Sequence, residues 1–162
     1  MTFVSLPSAP EAPATPPVIF DGGGFYPDLN LDALRAAVRI DQTVTPFRLA
    51  EAAAAALLDV HRELATWRRA QELAGYSRLV DVPNPRGHNL IGNEPWSAVL
   101  FLRAVASQTA ADLGERTRDA GTTLAGHDRA DELEDTTDLH RRNYRWAIND
   151  LIGRPRTTIE LI

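Results

Sequence analysis

The chain has 162 residues, 44% hydrophobic and 24% charged, a balance that fits a globular protein with one buried core. A formal net charge of −5 argues against nucleic-acid binding by bulk attraction, although a local arginine cluster would escape that argument. Cysteine is absent, which excludes disulfides, thiolate metal sites and cysteine nucleophiles, and no run approaches the roughly 18–20 apolar residues of a membrane span.

Residues 1–27 read as a Pro-rich extension. Pro7, Pro10, Pro13, Pro16 and Pro17 sit among Ala, Ser and Thr, which favours extended chain and defeats helix. There is no basic region followed by an apolar one, so a secretory signal is not expected. Within the extension, Val18, Ile19 and Phe20 are the residues with most reason to dock, and Gly22, Gly23 and Gly24 read as a hinge. A short helix follows over about residues 31–40, with Asn30 as its cap and Leu31, Leu34 and Val38 on one face.

The next start signal is stronger. Thr45 before Pro46 places a cap and then a proline where its missing N–H costs nothing, and the helical pattern runs from there to Ala74, with Gly75 as the stop. Leu49, Ala53, Leu57, Val60, Leu64 and Trp67 form the inward stripe; Glu51, Asp59, Arg62 and Arg69 form the wet face. Residues 76–94 read as a loop. A third helix is expected from a cap at Asn93 or Glu94 to about Arg118, with Val99, Leu102, Ala106, Thr109 and Leu113 inward. A fourth is expected from about Asp128 to Ile152, burying Leu133, Thr137, His140, Tyr144, Ala147, Ile148 and Leu151. The end, Thr157 to Ile162, is β-branched and apolar and reads as a strand without a partner strand in the chain. The expected fold class is therefore all-α: about four helices around one long central helix. An N-terminal arm (1–27) precedes the helical domain (28–153), and a strand-like tail (154–162) follows it.

Chemistry-bearing patterns are weak. His127 and Asp131 lie one turn apart, but no third ligand stands at a compelling spacing. His140 falls on an apolar face, and the many carboxylates lie on a solvated helix face, poor ground for tuned acid–base catalysis. No phosphate loop, dinucleotide fingerprint or nucleophile elbow is present. The three tryptophans suit core or interface packing better than base stacking. The fourth helix carries Asp128, Asp131, Glu132, Glu134, Asp135 and Asp138 in its first half, then Arg141, Arg142 and Arg145, followed by Arg154 and Arg156. That gradient complements the helix dipole, and Asp138 with Arg142 has the orientation of an (i, i+4) pair. A docking role for the arginines fits the gradient equally well.

Several segments in order carry a family resemblance: Phe25-Tyr26-Pro27-Asp28, Arg39 through Pro46 with Arg48-Leu49, Ala74 through Leu79, Asp81-Val82-Pro83, Arg103-Ala104-Val105, Arg145-Trp146-Ala147 and Pro155-Arg156. Over about residues 25–162 the chain resembles the head completion (stabilisation) proteins of temperate contractile-tailed bacteriophages. The resemblance implies a head–tail connector subunit with neither catalysis nor cofactor. It would be assembled in the host cytoplasm, and would sit at the neck of the virion as a ring beneath the portal that retains packaged DNA. Its implied partners are the portal protein, neighbouring copies and a tail-side connector or tail completion protein, with double-stranded DNA passing through unbound and no membrane involved. Arg154, Arg156, Thr157, Ile159, Leu161 and Ile162 are then expected to dock on the portal or a neighbour, and Tyr26, Gln42, Thr43, Arg145 and Trp146 to lie between subunits. The competing expectation is a small helical interaction or regulatory module.

Overall fold

The computed structural model describes residues 19–38, 40, 43–120 and 127–156, side chains excepted at 117–120 and 127–135. The chain is mainly helical, with four helices and two short antiparallel ribbons among the described residues. The Pro-rich residues 1–18, residues 121–126 and residues 157–162, expected as a strand-like tail, lie outside the described residues, as do Arg39, Asp41 and Gln42.

The folded body starts earlier than expected. Strand β1 (Ile19–Phe20) pairs with β2 (Leu29–Asn30), and between them Phe25 and Tyr26 are buried in the main core. Gly22 is not a hinge. Its N–H donates to Asp28 Oδ1 at 3.0 Å, its carbonyl accepts from the Tyr26 N–H at 3.2 Å, and a Cβ there would stand 2.0 Å from the Tyr26 carbonyl oxygen. The three glycines thus build a closed turn, with Gly23 and Gly24 at positive φ (65° and 80°).

Helix α1 (Leu31–Ala37) begins where Asn30 Oδ1 accepts the N–H groups of Asp32 and Ala33, at 2.8 and 3.1 Å. It stops short of Ile40 because Val38 leaves helical geometry. Arg35 then donates to the Val44 carbonyl at 2.8 Å, tying α1 to the start of α2. Helix α2 (Pro46–Leu73) starts and ends as the sequence predicts: Thr45 Oγ1 accepts from the Arg48 N–H, Pro46 opens the first turn, and Gly75 follows at φ 98°. Its buried stripe is Leu49, Ala52, Ala53, Ala56, Val60 and Leu64, while Leu57 and Trp67 are only partly covered.

The expected loop after α2 holds structure of its own: a 3-10 turn (Leu79–Asp81) and a hairpin of β3 (Leu90–Ile91) with β4 (Glu94–Pro95). Three bonds fasten this segment inward. Leu79 N–H donates to the Phe25 carbonyl at 2.8 Å, Ser97 Oγ to the Leu79 carbonyl at 2.9 Å, and Trp96 Nε1 to the Val82 carbonyl at 3.0 Å. The third helix, α3 (Trp96–Ala120), consequently lacks the expected cap at Asn93 or Glu94, because those residues and Pro95 belong to the hairpin and its turn.

Helix α4 (His127–Leu151) lies along α3, which also packs on α2. Covered from both sides, α3 buries Trp96, Phe101, Ala104, Val105, Thr109 and Leu113. Leu102, expected inside, is 41% exposed. A single-stripe reading suits a helix with one partner, and α3 has two. At Gly114 an added Cβ would stand 2.6 Å from Thr137 Oγ1, which marks a close approach of α3 and α4. On α4 the inward residues Thr137, Tyr144, Ala147, Ile148 and Leu151 are buried as expected, and His140 is half-buried. The Leu133, His127 and Asp131 side chains lie outside the described residues.

Candidate interaction surface

The last two turns of α4 carry the densest set of unusual contacts on the surface. Trp146 is half-buried, and the guanidinium carbons of Arg142 and Arg156 lie 4.8 and 4.9 Å from its ring centroid. These are cation–π distances, which use the negative potential of the indole face. One turn on, the Asp150 side chain is only 7% exposed and is ion-paired with Arg156 and, at 3.4 Å, with Arg86 from the loop before β3. A buried carboxylate requires such partners, since desolvating it alone is costly. In return the hydrogen bond that Arg156 donates to Asp150 raises the guanidinium pKa above its ordinary value.

This arrangement follows from local chain geometry. Gly153, at φ 74°, turns the chain at the end of α4, and the Arg154 N–H donates back to the Asn149 carbonyl at 2.8 Å. The turn brings Arg156 back over Trp146 and Asp150, six residues behind it. Arg156, expected to face a partner, is therefore held by its own chain although its side chain is 43% exposed, and Arg145 and Arg154 are exposed as well.

The other expected interface residues scatter. Thr43 is exposed at the approach to α2, and Gln42, Thr157, Ile159, Leu161 and Ile162 lie outside the described residues. Tyr26, expected between subunits, is 4% exposed and packed inside the subunit. Its ring stacks on His61 at 4.3 Å and on Phe101 at 4.9 Å, with the Phe25 edge at 5.1 Å. Burial pushes the Tyr26 hydroxyl up to about 12, an effect partly opposed by Arg68. The Asp138–Arg142 pair does not form. Asp138 pairs with Arg141 at 3.1 Å, and Arg141 also meets Glu115 on α3.

An open groove of about 550 Å³ lies where α1, α3 and α4 meet, lined by Val38, Val99, Leu102, Arg103, His140 and Asn143 among others, with no carboxylate in its lining. Burial lowers the His140 pKa below its ordinary value. Among the described residues no group of three His, Asp or Glu is placed to hold a metal ion, and no helix is long and apolar enough to cross a membrane.

Residues 21–162 match the model of the phage head completion protein (GPL) family. The chain belongs to that family. It is also 33% identical over 138 residues to the head completion/stabilization protein of Escherichia phage P2, an alignment covering 85% of this chain and 79% of that protein. No solved structure matches. The matched residues span both the turn at Gly22 and the end of α4, and the family resemblance holds. What sequence reasoning missed in this family member is the clamp of Arg156 on Asp150. Its only signal was Gly153 between an acid and a base six residues apart, a spacing no helical periodicity flags.

Proposed function

We propose that this head completion protein is a structural connector. Copies assemble as a ring beneath the portal after DNA packaging, retain the genome, and present the surface to which a tail-side connector or tail completion protein attaches. The observation that supports this reading beyond family membership is the clamp at the end of α4. By pinning Arg156 to Asp150 and Trp146, it fixes the point from which residues 157–162 depart, as an anchoring strand requires. The net charge of −5 lets duplex DNA pass without being gripped. Assembly takes place in the host cytoplasm, and the finished ring sits at the neck of the virion.

The test is light scattering after size exclusion of the protein mixed with portal rings from the same phage, for the whole chain and for one lacking residues 157–162. The whole chain should co-elute with the portal, and the truncated chain should not, at unchanged helicity. Co-elution of both would remove the tail from the portal contact. Failure of the whole chain to bind at any salt concentration would overturn the connector reading in favour of a helical module with another partner.

A further inference from the structure

Helix α2 packs on α3, with smaller contacts to α1 and α4, and turns its far side to solvent. On that side stand Phe47, Glu51, Leu58, Arg62, Arg69 and Leu73, four and seven residues apart by turns, a spacing that keeps all six on one helix face. Phe47, Leu58 and Leu73 are 79%, 69% and 85% exposed, the three most exposed large apolar side chains among the described residues. Single apolar residues scattered over a surface are ordinary, whereas three along one face of one helix mark a contact. The charges between them are of both signs. Glu51 meets Arg116 at 3.2 Å yet keeps half its surface open, Arg62 pairs with Asp59, and Arg69 is exposed with no carboxylate partner among the described residues.

We infer that this face is a contact between two copies of the chain, with α2 lying antiparallel on α2 about a two-fold axis near residue 60. The face is complementary to itself in that register. Phe47 lies opposite Leu73 of the second copy, Glu51 opposite its Arg69, and Leu58 against the aliphatic stem of its Arg62, and symmetry makes each contact twice. Ala54 and Ala65, between these residues on the same face, let the two helices approach closely. A parallel pair would instead set Glu51 on Glu51 and Arg69 on Arg69, so charge selects the antiparallel one. Roughly 39 Å of helix separates Phe47 from Leu73, and a stripe about 10 Å wide over that length covers on the order of 400 Å² per copy. That is the small end of specific interfaces, so the pair forms and parts with concentration. An isologous contact closes at two copies; this one therefore belongs to the free protein and does not depend on the ring reading above.

Sedimentation equilibrium of the full chain alone, from about 5 to about 500 μM, tests the contact. The wild type should pass from one copy to two across that range. R69E and E51R should each raise the dissociation constant at least about tenfold, because like charges then face each other. The equimolar mixture of R69E with E51R, and the exchanged chain E51R/R69E, should both return to the wild-type value, since each sets acid against base again. Leu58→Asp, at an exposed residue, should abolish the pair at unchanged helicity, and it leaves the bond between Glu51 and Arg116 untouched. A wild type that stays monomeric throughout would overturn the contact and leave the face to another protein or to the chain's own N-terminal segment. Dimers that L58D and R69E leave unchanged, or a mixture as defective as its components, would overturn it as well.

Discussion

The aromatic stack around Phe101 and the outer end of α4 use the same residue types for opposite ends. In the interior, Tyr26, His61 and Phe101 lie ring on ring, and the Arg68 guanidinium covers Phe25 and Tyr26 at 5.0 and 5.4 Å while also pairing with Glu72. There an aromatic group and an arginine are consumed by the fold. At the end of α4, Trp146 meets Arg142 and Arg156, yet Arg142, Arg145 and Arg154 keep charges that no carboxylate within the described chain answers. The contrast separates residues spent on the subunit's own packing from charged residues left facing solvent, and motif resemblance alone does not make that separation.

Substitutions on the two sides should therefore diverge. The largest loss of stability is expected from Phe101→Ala, which empties a fully buried site and should cost about 3–5 kcal/mol in urea denaturation. Gly22→Ala, whose Cβ would strike the Tyr26 carbonyl, should cost about 2–3 kcal/mol by forcing the turn open. Asn30→Ala removes the α1 cap and should cost about 1 kcal/mol, read the same way. Arg145→Glu, at an exposed residue with no carboxylate partner among the described residues, should shift stability by no more than about 0.5 kcal/mol. A large loss of stability there would erase the distinction between the two regions.

Acidity sharpens the same contrast. His61 has its pKa lowered by burial and then by Arg68, and its Nε2 is buried without a hydrogen-bond partner among the described residues. A histidine that protonates less readily when folded makes the unfolded state bind more protons. Stability is then full above the unfolded value of about 6.5 and falls as pH drops from there toward the lowered folded value. His140, lowered by burial, acts in the same direction. Melting temperatures between pH 7.5 and 5.5 should decline for the wild type and more shallowly for His61→Phe, which keeps the stack and removes the titrating group. Equal slopes would exclude His61 as a source.

Much of the fold was legible because its signals are local. Thr45-Pro46 and Gly75 bound α2, Asn30 starts α1, and the inward residues of α4 follow one face from Thr137 to Leu151. What escaped depends on distant parts of the chain. The N-terminal turn is ordered by Asp28 and by the Leu79 bond to Phe25, which no pattern within residues 19–27 announces. Leu102 was misplaced because α3 is covered from two directions. The site was legible as a charge gradient on one helix, but which arginine is spent and which is free depends on Gly153 folding Arg156 back onto Asp150.

Under the proposed function, this family member completes the head by closing it around packaged DNA. Nuclease protection of filled heads tests it most directly, comparing heads made without this protein before and after the purified chain is added. The DNA should be digested in the deficient heads and become protected once the chain is supplied. Equal protection with and without it would contradict the claim.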